Sequence, residues 1–163
     1  MKQYALGILI LFALTISGCR TAPTDYTIAL TLESIENYKM TIEIDSRRNY
    51  TLRRQNLYFD AHADSENIKV ATGQLTPDDA AALGKLLAAA RLFRLADAYG
   101  FDRDTASDNP FDGIIYQITY TEKALTKSIT VRLDPNLKYP TQLTALIAFL
   151  SRYASSVGQE VGS

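Results

Sequence analysis

The chain has 163 residues, with 17 Lys and Arg against 18 Asp and Glu. A formal net charge of −1 supplies no field for nucleic acid, and a composition 47% hydrophobic and 21% charged excludes a disordered, collagen-like or multi-span membrane chain. The length suits one domain with a substantial core.

Lys2 gives a short positive start, and the apolar run from Ala5 to Ile16 is too short for the roughly twenty residues of a spanning helix. It predicts an export signal over residues 1–18. The run ends in Ile16-Ser17-Gly18-Cys19, which resembles the lipobox of bacterial lipoproteins. That resemblance implies cleavage before Cys19, a diacylglyceryl group on its thiol and a further acyl chain, such as palmitate, on its amine. Cys19 is the only cysteine, so the modification leaves no thiol for catalysis, a metal or a disulfide. At roughly 0.8 kcal/mol per buried methylene, three acyl chains hold a protein firmly to a membrane. Arg20, in place of an Asp after the cysteine, implies by the same resemblance delivery to the cell outer membrane, facing the periplasm. Residues 19–25, with Pro23 among small polar neighbours, read as a lipidated tether.

A single domain is expected over residues 26–154. Tyr26, Ile28, Leu30 and Leu32 alternate with polar residues, as do Tyr38, Met40, Ile42 and Ile44, and the two runs form a hairpin. A third run starts with Tyr50 and Leu52 but resumes out of phase at Leu57 and Phe59, which predicts a bulge or break in residues 53–56. Residues 68–75 read as a fourth strand. Thr76-Pro77-Asp78-Asp79 then starts a helix running to about Arg91, with Leu83, Leu86, Leu87 and Ala90 on one face. Leu92, Phe93 and Leu95 pin its exit. After a long loop over residues 99–112, Ile114, Tyr116, Ile118 and Tyr120 pair with a return strand carrying Ile129, Val131 and Leu133. A last helix spans Pro140 to about Tyr153, its buried stripe being Leu143, Leu146, Ile147, Leu150 and Ala154, and residues 155–163 form a flexible tail. The expected fold is α+β, an antiparallel sheet of a four-strand meander plus a hairpin, with two helices on one face. Tight turns between most neighbouring strands argue against parallel pairing.

Gly73-x-Leu75-Thr76, Leu92-Phe93-x-Leu95-x-Asp97-x-Tyr99 and the Pro140-led final helix resemble a group of small bacterial lipoprotein domains of uncharacterised activity. These spacings are packing and capping constraints, so the likeness implies a fold. A weaker resemblance joins the helix, Asp112-x-x-x-Tyr116-x-Ile118 and the Pro-led last helix to emfourin-type inhibitors of thermolysin-like metalloproteases. It implies protease inhibition, without an inhibitory residue to carry over.

Asp102, Asp104, Asp108 and Asp112 form the one carboxylate cluster. A calcium loop of the EF-hand kind needs oxygen ligands at positions 1, 3 and 5, Gly at 6 and Glu at 12; counted from Asp102 the chain offers two acids, then Ala106, Ser107 and Gly113. Turn formation accounts for such a run, with a looser calcium loop or a hydrolytic acid pair as alternatives. His62 is the only histidine, too few for a zinc site or a recognisable triad, so neither a metal, a cofactor nor an enzymatic activity is expected. Arg47, Arg48, Arg53 and Arg54 are the main basic cluster, suited to phosphate or carboxylate or else to protecting a strand edge. Together with Phe149, on the flank of the last helix, they are the candidate contacts for a partner. The expected function is a membrane-anchored, non-enzymatic domain that binds a protein or another envelope component, with metalloprotease inhibition as the alternative.

Overall fold

Period-two alternation in the strands sorts apolar from polar side chains onto opposite faces of one sheet. A computed structural model describes residues 25–34, 38–56, 68–101 and 114–160. The strands are β1 (Tyr26–Ser34), β2 (Tyr38–Asp45), β3 (Asn49–Asn56), β4 (Ile68–Gln74), β5 (Ala98–Tyr99), β6 (Ile114–Glu122) and β7 (Leu125–Arg132). They lie in the order β4-β3-β2-β1-β6-β7-β5. The helices are α1 (Pro77–Ala90) and α2 (Thr141–Glu160), and neither is long and apolar enough to cross a membrane. The domain is therefore α+β.

The meander and the hairpin join into a single sheet because β1 pairs antiparallel with β2 on one side and β6 on the other. Ile28 lies between Ile44 and Tyr120, Leu30 between Ile42 and Ile118, and Leu32 between Met40 and Tyr116. Leu52, opposite Ile42, and Ile129, opposite Ile118, extend these rows. The rows share one buried cluster with Leu83 and Leu87 of α1 and Leu143, Leu146, Ile147 and Leu150 of α2.

Thr76 caps α1 as its sequence requires: the Oγ1 accepts from the Asp79 amide at 3.1 Å and donates to the Asp79 carboxylate at 2.7 Å. Arg91, in the left-handed region, ends the helix. Leu92 is buried, whereas Phe93 is exposed and only leans on the Tyr120 ring at 5.5 Å.

Four expectations change. First, β5 pairs parallel with β7, because the β6–β7 hairpin inserts its return strand beside β5 and no tight turn dictates that pairing. Second, β3 continues without a bulge through residues 53–56, each residue being paired with β2, because an arginine takes the next inward position instead of an apolar residue. Third, β7 ends at Arg132 and leaves Leu133 exposed. Fourth, α2 continues to Glu160, so the expected tail begins inside the helix. The export signal, Cys19, residues 19–24 of the tether, Leu57, Phe59, His62 and the acidic loop lie outside the described residues.

Gly100 fixes where the short β5 segment meets β7. Its φ is +81°, and a Cβ there would lie 2.0 Å from the Arg132 carbonyl. That carbonyl accepts from the Tyr139 hydroxyl at 2.7 Å, which in turn accepts from the Asp134 amide at 2.8 Å. Further along β7, Lys127 and Asp97 form an ion pair.

Leu146 is fully buried in the shared cluster. Leu146→Ala is expected to cost about 2–5 kcal/mol in urea unfolding, and Leu146→Asp to abolish the cooperative transition because it strands a charge in the core.

Candidate functional site

The sheet face turned away from the helices is a chemically patterned surface that runs across six strands. Registers place its side chains in rows: Val70, Arg53, Thr41, Thr31, Gln117 and Thr130 form one, and Thr72, Thr51, Glu43, Ala29, Thr119 and Ser128 the next. Neighbours satisfy one another across strands. The Thr31 and Thr41 hydroxyls lie 3.1 Å apart, as do those of Thr121 and Thr126, and Gln117 donates to Ser128 at 3.3 Å. Lys39 and Glu33 pair at 3.4 Å, half-exposed, so the pair adds little stability. The result is a broad polar surface of mixed charge. The alternation at residues 27, 29, 31 and 33 and at 39, 41 and 43 already marks two of its strands, but the cross-strand rows depend on pairings that no local pattern encodes.

The four arginines do not meet as a cluster. Arg47 and Arg48 are exposed in the β2–β3 turn, where Asp45 Oδ1 accepts from the Arg47 and Asn49 amides at 2.9 and 2.8 Å and Arg48 adopts φ 73°. Arg53 and Arg54 lie five and six residues beyond Arg48, roughly 17–20 Å at strand rise. Strand parity then separates these two: Arg53 stands opposite Thr41 on the polar face, and Arg54 opposite Met40 on the helix side. There Arg54 Nη2 donates to the Ala154 carbonyl of α2 at 3.1 Å. An open recess of about 260 Å³ beside it is lined by Tyr38, Met40, Arg54, Gln55 and Ser155. Phe149, placed on the flank of the last helix by its sequence, is only 7% exposed and stacks on Tyr153 with ring centroids 6.3 Å apart. It belongs to the core, so its ring is not presented to a partner.

Three tyrosines on the helix side have phenols pushed above their ordinary value of 10.0, chiefly by burial. The Glu122 carboxylate adds to the effect at Tyr120, which donates to it at 3.3 Å, and Asp45 and Tyr38 add charge effects at Tyr26 and Tyr116 respectively. Among the described residues no three His, Cys, Asp or Glu side chains gather into a metal site.

No protein-family model matches the chain, and no curated protein matches it.

Arg54→Ala is expected to lower stability by about 1.5–3 kcal/mol, the worth of a hydrogen bond to a charged group. Arg53→Ala, on the open face, should stay within about 0.5 kcal/mol in the same denaturant titration. The raised phenols set a second expectation. The folded state keeps their protons to higher pH than the unfolded state does, so their contribution is intact below pH 10.0 and is lost as pH rises through the folded values. Melting temperature should therefore fall on the alkaline side of pH 10, and Tyr120→Phe should flatten that fall.

Proposed function

We propose that the chain is a lipid-anchored envelope protein whose α+β domain is a non-enzymatic interaction module, docking a second envelope protein on the polar face of its sheet. The observation that carries this reading is the division of labour across the sheet: two helices bury one face, and the other holds a wide array of paired hydroxyls, amides and charges. A surface with Glu33, Glu43, Lys39 and Arg53 interspersed suits a flat protein partner of matching mixed charge better than a uniformly anionic lipid or polymer. The Ile16-Ser17-Gly18-Cys19 motif supports the anchor, and Arg20 supports outer-membrane placement facing the periplasm.

Mass spectrometry of native material is expected to find a tri-acylated Cys19 at the amino terminus. An unmodified terminus, with recovery in detergent-free washes, would remove the anchor from the proposal. Photo-crosslinking groups placed at exposed Glu43 and Gln117 should capture a defined partner in the intact envelope, and one at exposed Lys85 of α1 should not. Equal capture from all three positions would remove the docking face.

A further inference from the structure

We propose that the chain pairs with a second copy of itself through β4, extending the sheet across a two-fold axis at Ala71. This rests on backbone geometry and is independent of the polar-face reading.

One step beyond the Asn49–Gln74 pair of β3 and β4, the Leu75 amide donates to the Arg48 carbonyl at 2.8 Å, as in a hydrogen-bonded pair continuing the same register. Hydrogen-bonded pairs alternate along an antiparallel ladder, so residues 69, 71 and 73 turn their N–H and C=O groups toward β3. Those of Ile68, Val70, Thr72 and Gln74 point away from the sheet, and no strand among the described residues lies beside them. The side chains of Ile68 and Val70 are 43% and 54% exposed. β4 has seven residues, no proline and one charge, Lys69. The opposite end of the sheet is different: β5 has only two residues. Short strands, prolines and charges are the usual protection of a sheet end against pairing, and β4 has little of it.

The sequence of β4 fits its own inverse. With Ala71 opposite Ala71 of the second copy, Ile68 faces Gln74 and Val70 faces Thr72, and all outward amides and carbonyls of these four residues find partners. Lys69 meets Gly73 rather than a second lysine, so like charges are kept apart. Gly73 has the Tyr50 ring where a side chain would lie, the hydroxyl being 2.5 Å from an ideal Cβ, and this leaves the facing lysine beside an aromatic surface. Ala71 sits at a non-hydrogen-bonded pair, where Cα atoms approach to about 4.5 Å, and its small methyl group meets its own copy there without crowding.

The test uses the full chain in detergent with Cys19→Ser, so that each added cysteine is the only one. Ala71→Cys should form a disulfide-linked dimer under mild oxidation, because its Cα separation lies within the disulfide range. Thr72→Cys should remain monomeric, since in this register it is diagonal to its own copy at about 7–8 Å. Lys85→Cys on α1 should also remain monomeric. Adding Val70→Pro removes an outward amide that β3 does not use, and should abolish the Ala71→Cys crosslink with circular dichroism unchanged. A chain that sediments as a monomer at high micromolar concentration, or that crosslinks equally from Thr72→Cys or Lys85→Cys, overturns the proposal. If Val70→Pro does not fold, the comparison of the three cysteine positions decides by itself.

Discussion

The parity of β1 is the constraint on which the rest of this domain depends. As the strand shared by the meander and the hairpin, it lets Ile28, Leu30 and Leu32 set the phase for both halves of the sheet at once. A slip of one residue would turn that row to solvent and bring threonines under the helices. The interaction is non-local: Ile28 meets Tyr120 across most of the chain, so the core closes only when β6 docks on β1. Both helices then bury their stripes against one continuous apolar surface, and the polar face is left as a consequence of the same phase.

Much of this was legible in the sequence. The inward residues of β1, β2 and α2 follow from simple periodicity, and the α1 start follows from Thr76, Pro77 and the acids after them. What periodicity could not supply was pairing between distant segments. Parallel contact between β5 and β7 arises because a hairpin formed later in the sequence slots between two earlier-placed strands, and two residues of strand leave no pattern to read. The break expected in β3 misled for a different reason. Leu57 and Phe59 fall out of phase with Leu52, yet residues 53–56 stay paired with β2 and the inward position is filled by Arg54, which bonds the α2 backbone.

The candidate site was legible to a lesser degree. Adjacent arginines in a sequence suggest one basic patch, yet in a strand neighbours point to opposite faces, so Arg53 joins the polar rows and Arg54 braces a helix. Phe149 shows the converse for helices. A residue just off the main apolar stripe is still covered when the sheet beneath is wide, and stacking on Tyr153 completes its burial. The polar face was partly visible as the other half of each alternating pattern, but its mutual pairing of hydroxyls required the strand order.

The inequality between the seven-residue β4 and the two-residue β5 has a consequence for higher-order assembly. A ribbon with equivalent termini can recruit subunits indefinitely and grow into a fibre. Here one terminus is too brief to template another chain, so lateral growth of this architecture stops at that end.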